Sequence, residues 1–205
     1  MRGAELLGRA EVVVFDVLVN PALLRLAPAA AELISRKSLK GATPMAQAEL
    51  NEVMLARARE GKCVVRLKGG DPYVFGRGGE EAELLAAAKI PFEVVPGVSS
   101  ITAAPNYAGI PLTHRDHCSS FTVFTGHGEA TDEATNLRYE QIAKIPGTKV
   151  VLMGTENLAD WTQALIQHGL PAETPVAMIQ HGTTGRQVSV SGTLATIAKL
   201  VMGGK

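Results

Sequence analysis

Two short stretches carry the residue types best suited to chemistry. One is Asp16, a carboxylate inside the apolar run Val12-Val13-Val14-Phe15-Asp16-Val17-Leu18-Val19. A carboxylate among apolar neighbours must find a partner or rise in pKa. Near a strand end it is a candidate general base, and equally a carboxylate paired for structure. The other is Leu67-Lys68-Gly69-Gly70-Asp71-Pro72, which directly follows a predicted strand. Paired glycines at the carboxyl end of a strand let a ligand approach the backbone, and Asp71 offers it a hydrogen-bond acceptor. The same residues also suit a tight turn with a capping aspartate.

Several other motifs are excluded by spacing. Gly76-Arg77-Gly78-Gly79-Glu80-Glu81 lacks the glycine spacing of a dinucleotide loop, and no Gly-Lys-Ser/Thr follows. Pro96-Gly97-Val98-Ser99-Ser100 is not a hydrolase nucleophile elbow and reads as a serine-capped helix start. His114, His117 and Cys118 are close in sequence, but no second cluster supplies further ligands at zinc-site spacing, so no metal is expected.

Alternating strands and helices position these residues. Strands are expected over Glu11 to Val19, Glu32 to Arg36, Cys63 to Leu67 and Ile90 to Val95. Asn20-Pro21 and Thr43-Pro44 are cap-plus-proline helix starts, and Gly61 is a helix end. Glu80 to Lys89 and Ser99 to Ala108 read as helices, the latter containing Pro105. After a pause at Gly109 to Arg115 the rhythm restarts with Phe121 to Thr125, Lys149 to Met153 and Val176 to Gln180 as strands. Gln187 to Ser191 alternates with period two, as an antiparallel strand does. Helices are expected over Leu158 to His168 and Leu194 to Val201. The pattern is α/β, with parallel sheets under helices and domains over 1–115 and 116–205.

Composition narrows the function classes. The chain has 205 residues, with 20 basic and 20 acidic side chains and no formal net charge, so bulk charge does not draw it to nucleic acid or an anionic membrane. Aromatics are 4%, too few for a base-stacking platform. No apolar run approaches the ~18 residues of a membrane span, and charges at Arg2, Glu5, Arg9 and Glu11 leave no visible signal peptide. Cys63 and Cys118 read as reduced thiols of a cytoplasmic protein.

Taken together, these stretches resemble the uroporphyrinogen-III C-methyltransferase family. The resemblance rests on Val64 to Glu81, Ile90 to Val98, Gly109 to Arg115, Val151 to Gly154, and Gly182-Thr183-Thr184 with Gln187, and covers almost the whole chain. It implies two α/β domains of the tetrapyrrole methyltransferase type with the active cleft between them, usually in a homodimer. It further implies methyl transfer from S-adenosylmethionine to C2 and C7 of uroporphyrinogen III, giving precorrin-2. The donor would touch Gly69, Gly70, Asp71, Val74, Ser99, Ser100, Met153 and Gly182. Asp16 falls on the proton acceptor. Candidates for the substrate's carboxylates are Arg77, Arg115, Lys68 and the Arg36-Lys37-Lys40 cluster.

Three departures accompany the resemblance. The family's first strand and its Gly-x-Gly-Pro-Gly-Asp loop have no counterpart here, nor does its last strand, which suggests a chain truncated at both ends. Alignment on Gly41 puts Ser38 at the family's catalytic lysine, and a one-residue shift brings Lys37 to that role. Two rival readings remain: a same-fold enzyme acting on a later corrin intermediate, and a silent tetrapyrrole-binding homologue.

Overall fold

The computed structural model describes residues 1–36, 45–127 and 138–203. The chain divides into two compact units, Met1–Ser99 and Ser100–Lys205. The first contains α1 (Arg2–Leu7), β1 (Val12–Phe15), a 3-10 helix (Pro21–Leu26), β2 (Glu32–Ser35), α2 (Gln47–Arg59), β3 (Val64–Leu67) and α3 (Gly78–Ala87). Its strands are parallel, in the order β2-β1-β3.

The register explains the apolar run of β1. Val14 lies opposite Ile34 on one side and Arg66 on the other. Side chains alternate between faces. Val12, Val14, Ile34 and Val64 therefore share one face, and Leu50 and Met54 of α2 cover it. Val13, Phe15, Val65 and Leu67 share the opposite face, covered by Leu7, Ala10, Leu24 and Ala27. Burial on both faces is what an unbroken apolar strand provides for. At the next turn the Asn20 side chain accepts from the Ala22 amide at 3.0 Å, with Pro21 as first helical residue.

The second unit contains α4 (Ser100–Tyr107), β4 (Phe121–Thr125), α5 (Tyr139–Lys144), β5 (Thr148–Leu152), α6 (Leu158–Gln167), β6 (Pro175–Gln180), β7 (Val188–Thr193) and α7 (Ile197–Met202). β4 and β5 pair in parallel, and β6 and β7 pair antiparallel as the period-two pattern predicts. Phe124, Leu158, Trp161, Leu165 and Ile197 form the core. The Trp161 indole N–H donates to the Gly154 carbonyl at 2.8 Å, so this large side chain is buried with its polar atom satisfied.

Two expectations are corrected. Ile90 to Val95 is not a strand. β3 ends the sheet order, and an extended segment without a paired neighbour forms no ladder. The segment is held instead by the Arg2–Glu93 ion pair at 2.7 Å. The units divide at Ser99/Ser100, not after Arg115, because α4 is held by the second unit. The Gln187 side-chain amide donates to the Tyr107 carbonyl at 3.3 Å, and a Cβ on Gly182 would lie 2.8 Å from that of Ala104.

Leu50 is fully buried where α2 meets the sheet. Leu50→Ala is expected to lower stability by about 2–5 kcal/mol in chemical denaturation, the usual cost of such a cavity.

Candidate active site

The alternation that buries the valines also assembles a charged cluster. Asp16 lies two residues past Val14, Arg36 two past Ile34, and Arg66 and Lys68 two and four past Val64. All four therefore project from the face covered by α2, at its carboxyl end. Glu81, in the first turn of α3, completes the group, where a helix N-terminus favours negative charge. Arg66 Nη2 donates to Asp16 Oδ1 at 2.5 Å, and Arg66 Nε to Glu81 Oε1 at 3.0 Å. Lys68 Nζ lies 3.1 Å from Glu81 Oε2 and 3.8 Å from Asp16 Oδ2, and Arg36 Nη1 lies 3.9 Å from Asp16 Oδ1. Gln47 Nε2 donates to Glu81 Oε1 at 3.0 Å and to Asn51 Oδ1 at 3.1 Å. The Gln47 carbonyl oxygen is buried and accepts no hydrogen bond among the described residues.

Side-chain exposure is 6% for Lys68 and Glu81, 11% for Arg66 and 21% for Asp16. Desolvating such ions costs several kcal/mol each, which attraction repays only with good geometry. A buried ionic cluster is therefore weak as a stabiliser and informative as a functional site. Burial pushes the Lys68 ammonium below the ordinary lysine range. The Arg66 charge adds to this, and Glu81 and Asp16 oppose it.

The glycine turn lies directly after β3. Gly70 has φ +68°, a conformation that glycine adopts without cost. Asp71 Oδ1 accepts from the Tyr73 amide at 2.9 Å, and Oδ2 from the Gly97 amide at 3.0 Å. A Cβ on Gly97 would lie 2.0 Å from the Gly70 carbonyl oxygen, so only glycine allows this approach. Asp71 thus caps its own turn, as its type suggests, and also pins that turn to the one at Gly97, a contact no local pattern announces. The Val74 amide donates to the Asp71 carbonyl at 3.3 Å, and the Ser99 Cα lies beside Gly70. Gly69 and Gly70 are exposed, with Leu18 (89% exposed) next to Gly69 and Val98 (77%) next to Gly97.

Backbone strain collects at the same kind of place. Phe75 and Arg77 have φ of 51° and 57° in the loop after the glycine turn. In the second unit Met153, directly after β5, has φ 55° and an exposed side chain. His181 and Thr183, at 52° and 68°, flank Gly182 directly after β6. Non-glycine residues in the left-handed region cost energy and concentrate at functional sites.

The remaining expectations sort as follows. Arg77 is exposed and pairs with Glu80. Arg115 is exposed in the loop after Thr113. Lys68, expected to meet substrate carboxylates, is instead buried against Glu81. Ser100 opens α4. Lys37, Ser38 and Lys40 lie outside the described residues. Cys63 and Cys118 are free thiols, and Cys118 bonds Thr148 and Leu112. Among the described residues no three His, Cys, Asp or Glu side chains gather as a metal site, and no helix is long and apolar enough to cross a membrane.

Comparison with known proteins places this arrangement. Residues 1–198 match the model of the tetrapyrrole (corrin/porphyrin) methylases. The chain belongs to this family. It is 51% identical to an S-adenosyl-L-methionine-dependent uroporphyrinogen III methyltransferase of Methanosarcina barkeri, over 98% of this chain and 78% of the relative. It is 46% identical to a siroheme synthase of Serratia proteamaculans but spans only 42% of that protein. The fold matches the Thermus thermophilus uroporphyrin-III C-methyltransferase solved with S-adenosylhomocysteine, with TM-score 0.77 and 34% identity over 96% of this chain and 82% of that one. A cobalt precorrin-4 methyltransferase matches with TM-score 0.85 and 26% identity, over 100% of this chain and 83% of that one.

Arg66 and Glu81 were missed as individual residues, although both lie in the stretch that carries the resemblance. Strand parity was the available signal, since Arg66 and Lys68 share a face with Val64.

The Lys68 ammonium yields a pH test. A lysine whose folded pKa lies below its unfolded value costs stability while both states are charged. The cost is relieved as pH rises from the folded pKa to the ordinary lysine value, because the unfolded chain then holds the extra proton. Urea denaturation should show wild-type stability, relative to Lys68→Met, rising with pH across that alkaline window.

Proposed function

We propose that this chain transfers methyl groups from S-adenosylmethionine to C2 and C7 of uroporphyrinogen III, giving precorrin-2. The observation that carries the reading is the placement of Asp16. Its carboxylate sits at the carboxyl end of β1, where α/β sheets bind ligands, and is held by Arg66 within the buried cluster. The identities to uroporphyrinogen methyltransferases support the named substrate.

The residues fit the donor. Exposed Gly69 and Gly70 leave the backbone open, and exposed Leu18 and Val98 supply apolar surface beside it. Met153, directly after β5, and Gly182, just beyond β6, are also proposed as donor-binding residues. When bound, S-adenosylmethionine supplies a sulfonium methyl, the electrophile that the chain itself lacks. Asp71 keeps the binding turns in place through the Tyr73 and Gly97 amides. Asp16 accepts the proton that the ring system sheds once its carbon is alkylated. Arg66 keeps Asp16 oriented. The exposed guanidinium groups of Arg115 and of Arg77, which would exchange Glu80 for substrate, are the candidates for the substrate's carboxylates. A homodimer in the cytoplasm belongs to the same reading, and sedimentation tests the dimer.

The close backbone match to cobalt precorrin-4 methyltransferase favours one alternative, a later corrin intermediate as substrate. Parallel assays with uroporphyrinogen III and a methylated corrin precursor separate the two. Mass spectrometry of the product should show two added methyl groups on uroporphyrinogen III.

S-adenosylhomocysteine is expected to bind the full chain saturably in calorimetry. Asp71→Ala, which releases both amides, should abolish that binding. Asp16→Asn should lower turnover by about 10²–10⁴-fold, the worth of a general base, with near-normal donor binding. Wild-type turnover in this variant would remove Asp16 from the reaction.

A further inference from the structure

We propose that Glu81 is a positioning residue for proton transfer at Asp16, acting through the Arg66 guanidinium. The proposal rests on the reading of Asp16 as proton acceptor. Among the described residues Glu81 hydrogen-bonds neither Asp16 nor the glycine turn. It gathers four donor contacts from three residues instead. Oε1 receives Arg66 Nε at 3.0 Å, Gln47 Nε2 at 3.0 Å and Lys68 Nζ at 3.3 Å, and Oε2 receives Lys68 Nζ at 3.1 Å.

Arg66 is the link. A guanidinium is planar, so fixing Nε against Glu81 fixes the direction of Nη2, which meets Asp16. Its Nη1 faces the Val14 and Leu67 carbonyls at 3.4 and 3.3 Å, which completes the constraint. One carboxylate on α3 thus aims a fork that orients a second carboxylate on the sheet. Glu80, one residue earlier, pairs with exposed Arg77 and takes no part.

Charge gives Glu81 a second effect on Asp16. Among the described residues the groups facing Asp16 are Arg36 beyond β2, Arg66 on β3 and Lys68 beyond it, all cationic. Glu81 is the anion that offsets Arg66 and Lys68, and α2 adds only the neutral Gln47 and Asn51. Without Glu81 the two cations act on Asp16 alone. Both would then compete for the Asp16 oxygens that must receive the proton.

The test compares Glu81→Gln, Glu81→Asp and Asp16→Asn in the full chain. Steady-state kinetics with S-adenosylmethionine and uroporphyrinogen III give kcat and KM. Glu81→Gln is expected to lower kcat by up to about 10²-fold, the lower range of a general base's contribution, with KM nearly unchanged. Glu81→Asp keeps the charge and should restore part of the rate. In an Asp16→Asn background Glu81→Gln should cost nothing further, because it acts through Asp16. Wild-type kcat in Glu81→Gln, or a further full loss in the Asp16→Asn background, overturns the proposal. If Glu81→Gln does not fold, Glu81→Gln/Lys68→Met removes one charge of each sign. It should still show reduced kcat, because a neutral amide holds Arg66 Nε less firmly than a carboxylate does, and full kcat there overturns the proposal. Wild-type turnover in Asp16→Asn defeats the proton-acceptor reading instead.

Discussion

The fork of Arg66 is the constraint on which the first unit's chemistry depends. One guanidinium, 11% exposed, bridges a carboxylate past the end of β1 and a carboxylate at the start of α3. A cation so deeply placed cannot remain unpaired, and removing either anion would leave it one partner, shared with Lys68. The sheet therefore cannot slide against α3 without breaking a buried ion pair. A shift of one residue in β3 would also turn Arg66 to the opposite face, among Val13, Phe15 and Leu24. Register, helix position and the orientation of Asp16 are thus a single requirement.

That requirement divides one sheet face into two zones. Toward the amino ends of the strands, Val12, Val14, Ile34 and Val64 bury against α2 and supply the hydrophobic stabilisation. Toward the carboxyl ends, the same alternation delivers Asp16, Arg36, Arg66 and Lys68. The apolar zone is what makes the ionic zone tolerable, because it holds the strands in register without help from the charges. The left-handed residues after β5 and β6 show a similar division in the second unit, with regular strands followed by strained ends.

Much of the element order was legible, because apolar periodicity and cap residues act locally. Asn20-Pro21, Gly61 and the alternation of Gln187 to Ser191 each announce a local geometry that the fold keeps. Ile90 to Val95 was misread because an apolar run shows extension and cannot show whether a neighbour is there to pair with. The site was legible only in part. Asp16 and the Gly-Gly-Asp turn stand out by residue type. The use of Asp71 as a pin depends on Gly97, 26 residues away, and no local pattern reports that contact. Lys68 reads from the sequence as a candidate for the substrate's carboxylates, because burial of a lysine is set by Glu81, which reaches it from another element.

Backbone and side chains also answer different questions about substrate. The cobalt precorrin-4 methyltransferase matches the backbone at TM-score 0.85, above the 0.77 of the Thermus enzyme, yet its identity is 26% against 34%. If fold alone chose the substrate, the corrin enzyme would be the guide. It does not, because one fold accommodates different substrates through the residues grafted on it. A pinned glycine turn and an acid aimed by a guanidinium would serve any ring carbon that must be methylated and then deprotonated. The choice among macrocycles must lie in groups that touch the ring's periphery, and Arg66 and Glu81, 11% and 6% exposed, are too deep to read those substituents. On the proposed reading the cluster governs whether the proton leaves, and exposed cations such as Arg77 and Arg115 would govern which ring arrives.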